Sequence, residues 1–189
     1  MARRGRRHPR RLPRPRALKP EQRIAAMILA TVGTQLPFDR LLRALDSWAA
    51  RNPDQRVRAQ SGNSQEVFKN MDCTAFLSPA AYAGAVEEAD IIVSHAGMGS
   101  ILTAAELGKP IVILPRLAAH GEHRTDHQLA TAAEMASLAN VTVIESAEEL
   151  GPSLDRLSGA PTLPSAERIS ASADAGLIGA VAHFLRGAA

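Results

Sequence analysis

The chain has 189 residues, enough for one domain with a full core. Its 46% hydrophobic and 22% charged content is that of a globular protein, and no apolar run reaches the roughly 18 residues that a membrane-spanning helix needs. The net charge of +3 is not a property of the body: residues 1–20 hold eight Arg and one Lys with no acid, so the other 169 residues carry −6.

The opening stretch, "MARRGRRHPRRLPRPRALKP", is Pro-rich and lacks hydrophobic periodicity, so residues 1–26 read as a disordered arm. Its charge suits anionic lipid headgroups or nucleic-acid phosphates. It has no aromatic residue to stack on a base, so no specific nucleic-acid recognition is expected. A signal peptide is disfavoured, because "IAAMILA" runs into "TVGTQLPFD" without an Ala-x-Ala cleavage site. A nucleotide-binding domain is expected over 27–189, with Met27 as an alternative start of translation.

In chain order, "MILATV" (27–32) reads as a buried strand ending at Gly33. A helix is expected over 37–50, with Pro37 at its start, Asp39 in its first turn, and Phe38, Leu41, Leu42, Leu45 and Trp48 on one face. Strands follow at 55–60 and 74–78, with the lone Cys73 expected to be a buried structural thiol in a reducing cytoplasm. Then come a helix at 79–89, a strand at 90–94, and a helix at 98–107 closed by Gly108 and Pro110. A strand at 111–115, a helix at 127–138, a strand at 141–145 and a helix at 147–157 complete the pattern. A Pro/Ser-rich link at 160–165 leads to an Ala-rich helix at 174–186. Strands alternating with helices specify an α/β fold, a doubly wound and mostly parallel sheet. Ligands in such folds sit beyond the carboxyl ends of the strands, where residues 33–35, 95–100 and 116–128 fall.

The stretch "SHAGMGS" breaks a strand and turns directly into a helix. Gly97 and Gly99 allow close backbone approach, and the helix start presents unpaired N–H groups and partial positive charge, the makings of a phosphate site, with Ser100 as a hydroxyl at the helix N-terminus. It is neither the dinucleotide fingerprint, whose third glycine would fall at Leu102, nor a P-loop, since Lys109 is followed by Pro110. Within "PRLAAHGEHRTDHQLATA", His120, His123 and His127 lie close to Glu122 and Asp126. The spacing matches no zinc motif, so no metal is expected, and a polar rim for a sugar nucleotide is the better reading. The first loop contributes Gly33, Thr34 and Gln35.

Taken together, "ILATVGTQLPFDRLL", "ADIIVSHAGMGSILTAAELGKPIVILPR" and "HGEHRTDHQLATA" resemble the C-terminal, donor-binding half of GT-B glycosyltransferases of the peptidoglycan N-acetylglucosaminyltransferase superfamily. More closely, they resemble the small single-domain subunits of two-protein enzymes. These are the cytosolic subunit of the dolichol-linked chitobiose synthase and bacterial exopolysaccharide subunits, some of them glucuronosyltransferases. The resemblance implies a Rossmann-like half of a GT-B fold and inverting transfer of glucuronic acid or N-acetylglucosamine from a UDP-sugar to a polyprenyl-diphosphate-linked acceptor in polysaccharide synthesis. The UDP-sugar is a substrate, and no cofactor is implied. By the same resemblance, Gly33, Thr34, Gln35, Gly97, Met98, Gly99 and Ser100 would bind the nucleotide and its phosphates. Glu122, His123, Asp126 and Gln128 would bind the sugar, and His95, His123, Asp126 and His127 are candidates for the catalytic base. Many relatives place a Glu for the ribose where this chain has Thr103, with Glu106 almost one helical turn further on; Thr103 is expected to bind the nucleotide through a hydrogen bond of its hydroxyl instead. A membrane-associated acceptor-binding subunit is implied as partner, which would place this chain in the cytoplasm at the inner face of the plasma membrane. Two other readings remain: a non-catalytic nucleotide-binding or regulatory subunit that stabilises its partner, and a nucleic-acid binder driven by the arm.

Overall fold

The computed structural model describes residues 26–160. Six strands form one parallel sheet: β1 (Met27–Thr31), β2 (Arg56–Gln60), β3 (Asp72–Thr74), β4 (Ile91–His95), β5 (Ile111–Leu114) and β6 (Val141–Val143). Their spatial order is β3-β2-β1-β4-β5-β6, with every neighbouring pair parallel. This is the doubly wound order, and the chain reverses direction across the sheet between β1 and β4.

The strands at the centre are apolar on both faces because both are covered. In β1 and just beyond it, Ile28, Ala30 and Val32 point to one face, whereas Leu29 points to the other. On the first face lie α1 (Asp39–Arg51) and α5 (Leu150–Ser158). Leu41, Leu42, Leu45 and Trp48 of α1 are all buried, and the Trp48 indole N–H donates to Asp155 Oδ1 of α5 at 2.9 Å. On the second face lie α2 (Pro79–Glu88), α3 (Met98–Glu106) and α4 (His127–Met135).

Several boundaries differ from expectation for local reasons. Helix α1 begins at Asp39, so Pro37 precedes it by two residues, and Phe38 caps it without a side-chain bond. The third strand lies at Asp72–Thr74 rather than 74–78. Past Thr74 the β2 side of the ladder turns away at Gly62, the Leu77 N–H is taken by the Gln60 side chain at 3.0 Å, and Phe76 is left half-exposed. Cys73, on this short edge strand, is exposed instead of buried, which corrects its reading as a core thiol. Partial burial and the charges of Asp46 and Asp72 push its pKa up, so it is also a poor nucleophile. The helix expected at 147–157 opens as a 3-10 turn, Ala147–Glu149, where the Glu149 carboxylate accepts the Ser146 N–H at 3.0 Å. The 160–165 link and the 174–186 helix lie essentially outside the described residues, as does the arm up to residue 25; Ala26 is already buried.

Leu45 is fully buried beside the only tryptophan of the chain. Leu45→Ala should therefore lower stability by about 2–5 kcal/mol, measured by denaturant unfolding followed through Trp48 fluorescence.

Candidate functional site

A cavity of about 360 Å³ opens at the carboxyl ends of β1 and β4, at the reversal point of the sheet. One wall is the first loop, Val32 to Gln35, and another is the turn from His95 to Met98 that starts α3. Arg116 just after β5, then His123, His127, Gln128 and Thr131, complete it.

The two glycines make room for an imidazole. A Cβ on Gly97 would stand 2.3 Å from His95 Nε2, and one on Gly33 would stand 3.1 Å from His95 Cε1. Gly33 also has φ +74, in the left-handed region. The His95 ring thus lies between two positions that side chains cannot occupy. Burial first, then the positive charge of Arg116, push its pKa down to about 4, against an opposing backbone hydrogen bond at Thr31. At neutral pH this imidazole is uncharged, able to donate and accept hydrogen bonds but a weak base.

Arg116 is only 2% exposed. Its guanidinium donates to the carbonyls of Val32 (2.5 Å), Pro37 (3.0 Å) and Glu122 (2.9 Å), and it lies 4.7 Å from the centre of the Phe38 ring. Its backbone N–H donates to Gln128 Oε1 at 3.1 Å. Burial draws its pKa down and nearby Glu122 opposes that, but an arginine stays charged in proteins. A fixed positive charge therefore lines the cavity, and among the described residues no carboxylate forms a salt bridge with it.

The histidine loop divides into two parts. His123 and His127 face the cavity, edge to face at 4.5 Å. Thr125 holds both: its N–H donates to His123 Nδ1 at 3.3 Å, and its Oγ1 is 2.9 Å from His127 Nδ1. His120 and Glu122 instead line a separate cavity with Arg40 and Arg43. The Glu122 carboxylate is engaged by Arg40 through two hydrogen bonds of 2.9 and 2.8 Å and by the Leu117 N–H at 3.1 Å. Burial works to raise its pKa, yet these hydrogen bonds and the Arg40 charge hold it below the usual carboxylate range. Glu122, expected among the sugar contacts, is thus engaged by Arg40 and the loop backbone and does not line this cavity. Asp126 likewise does not line the cavity; its Oδ1 accepts the Ala118 N–H at 2.8 Å. Among the described residues, no three His, Cys, Asp or Glu side chains gather as a metal site requires.

Of the phosphate-loop residues, Gly97 and Met98 line the cavity, while Gly99 and Ser100 lie one step along α3. Gly97 caps that helix without a side-chain bond, and Ser100 is its third residue, a hydroxyl in the first turn as expected. Thr103 donates to the Gly99 carbonyl at 2.9 Å and is outside the cavity, as is Glu106. Four lining residues are not singled out by the sequence: Val32, Ala96, Arg116 and Thr131. Arg116 had a visible signal, an arginine placed directly after the apolar run "IVILP".

Residues 27–175 match the glycosyltransferase family 28 C-terminal domain, most of the chain. The chain belongs to that family. Among curated proteins, this family 28 domain is 28% identical over 122 residues to the UDP-N-acetylglucosamine transferase subunit ALG13 of Yarrowia lipolytica, covering 58% of this chain and 60% of that protein. Solved structures share its fold. The UDP-GlcNAc 2-epimerase of Neisseria meningitidis superposes with a TM-score of 0.61 at 16% identity, over 86% of this chain and 45% of that one. The kitacinnamycin glycosyltransferase gives 0.57 at 22% identity, over 83% and 39%. Acinetobacter baumannii MurG gives 0.51 at 22% identity, over 73% and 43%. The chain therefore spans under half the length of these structures and corresponds to one Rossmann-like half of a GT-B fold.

Because the His95 pKa is depressed in the folded state, the unfolded chain binds the extra proton first. Its contribution to stability is complete above pH 6.5 and is lost as pH falls toward 4. Melting temperatures of His95→Gln should fall less steeply than wild type across that window.

Proposed function

We propose that this chain is the donor-binding subunit of a two-component inverting glycosyltransferase. In this reading it takes a UDP-sugar, glucuronic acid or N-acetylglucosamine, and transfers the sugar to a polyprenyl-diphosphate-linked acceptor held by a membrane-associated partner. One observation carries the reading: the N-terminal turn of α3 and the buried Arg116 face the same cavity at the reversal point of the sheet. Both favour an anion. A developing diphosphate on the departing nucleotide would be stabilised there as the bond to the sugar breaks. The family 28 match and the similarity to a transferase subunit from Yarrowia lipolytica support the same reading.

The remaining groups divide the chemistry. His95, neutral at the cavity wall, suits a hydrogen bond to the sugar or phosphate. His123 accepts the Thr125 N–H at Nδ1, so in its neutral form the ring proton is on Nε2, making it a donor. His127 Nδ1 lies 2.9 Å from the Thr125 hydroxyl; in the tautomer that donates from Nδ1 to that hydroxyl, Nε2 keeps a lone pair, and in this reading His127 is the base offered to the acceptor hydroxyl. Among the described residues no helix is long and apolar enough to cross a membrane. In this reading membrane contact, at the cytoplasmic face, belongs to the partner.

A thermal-shift panel on the full chain tests the donor assignment. UDP should raise the melting temperature, one UDP-sugar should raise it further, and GDP-mannose should leave it unchanged, since only native-state binding stabilises. A flat response across the panel would sink the proposal. In membranes carrying the complete enzyme, His127→Gln should slow transfer by roughly a hundred-fold or more with donor affinity nearly constant. Transfer at the wild-type rate would make the chain a non-catalytic binding subunit.

A further inference from the structure

The segment after β2 is strapped onto the first loop. Ser61 and Gly62 extend the pairing with the β3 side, their N–H groups donating to Thr74 O at 3.0 Å and Ala75 O at 2.9 Å. Gly62 then turns with φ +61, and a Cβ there would stand 3.0 Å from the Gly33 carbonyl oxygen. Only glycine lets the two backbones lie this close. Asn63 comes next, its Nδ2 donating to Thr34 O at 3.2 Å and Gln35 O at 2.5 Å. Both partners are carbonyls, so only the nitrogen end of the amide can face them. Ser64 Oγ secures the strap by donating to Asp39 Oδ1 at 2.5 Å, and Glu66 pairs with Arg43.

The consequence lies in the peptide planes. In a trans peptide the carbonyl and the N–H that follows it point in opposite directions, and no described bond is cis. With the carbonyls of Thr34 and Gln35 turned to Asn63, the N–H groups of Gln35 and Leu36 point away from it. Neither finds an acceptor among the described residues. Successive N–H groups turned the same way make a concavity that receives anions. Gln35 lines the cavity that the N-terminal turn of α3 also lines, and the exposed Leu36 follows it at the rim, outside the lining itself.

We propose that Asn63 is a positioning residue of the nucleotide site: it turns two carbonyls of the first loop outward so that the following N–H groups receive an anionic oxygen of the donor diphosphate. The role rests on the functional reading above. Asn63 does not touch the substrate; it acts through the backbone of residues 34–36.

The test compares full-length wild type, Asn63→Ala and the isosteric Asn63→Asp, which keeps the shape and loses the donor. Each is titrated with UDP, uridine and inorganic pyrophosphate while the backbone amides are followed by NMR. In wild type, UDP and pyrophosphate should move the Gln35 and Leu36 amides, and uridine should not. In both variants the UDP dissociation constant should rise roughly ten- to hundred-fold, uridine affinity should hold, and the two amides should stop responding. The amide spectrum away from the first loop should stay that of wild type. UDP bound equally tightly by wild type and both variants, or Gln35 and Leu36 amides that ignore UDP in wild type, would remove the role of Asn63 and leave the nucleotide reading standing. Wild type that binds neither UDP nor pyrophosphate would overturn both.

Discussion

A single buried guanidinium holds the ligand-facing edge of this domain together. Arg116 ties the end of β1 through Val32, the approach to α1 through Pro37, and the histidine loop through Glu122. These three segments come from distant parts of the chain and share no other common anchor among the described contacts. The planar fork of an arginine can serve several carbonyls at once, and a lysine cannot reproduce that geometry. Because its partners are carbonyls, the charge is held in place without being cancelled. The bidentate pair between Arg40 and Glu122 does the complementary work on the outer side, so the acidic residue nearest to Arg116 is kept out of the cavity. Phe38 is packed against both arginines, 5.4 Å from one and 4.7 Å from the other.

The other half of the site is built by exclusion. Gly33 and Gly97 belong to different loops, and both are shaped by the ring of His95. The usual reason for glycines in such a turn, close approach of a phosphate, is therefore incomplete here: Gly97 also makes space for a side chain of its own strand. The result is a pocket whose charge is set by one permanent cation and whose central imidazole is kept neutral by burial and by that cation. The parallel sheet supplies what neither loop can, a rigid base from which β1, β4 and β5 deliver their loops to one place.

The fold was legible because its signals are local. Apolar runs of four to six residues alternating with amphipathic stretches, punctuated by Gly33, Gly108 and Pro110, specify a parallel sheet without knowledge of any contact. Where local signals misled, a tertiary contact explains it. Strand β3 ends early because its partner strand turns at Gly62, and that turn exists to bring Asn63 onto a loop 28 residues away in sequence. The histidine loop was legible in composition and not in direction: His123, His127 and Gln128 face the cavity, but Glu122 and Asp126 satisfy Arg40 and backbone N–H groups. The role of Arg116 was hidden for the same reason, since nothing in "ILPR" says which carbonyls the guanidinium will find. Residue types that bear chemistry can be read from a sequence; whether a carboxylate is already occupied depends on long-range geometry.

The two edges of the sheet are each three residues long, Asp72–Thr74 on one side and Val141–Val143 on the other. Such short edges present almost no ladder for another backbone to join, which protects the domain from edge-to-edge stacking into larger aggregates. The same brevity constrains how any second protein can assemble with it. Adding a strand to this sheet is a poor route, so association has to run through helix surfaces or through the rim of loops beyond the strand ends.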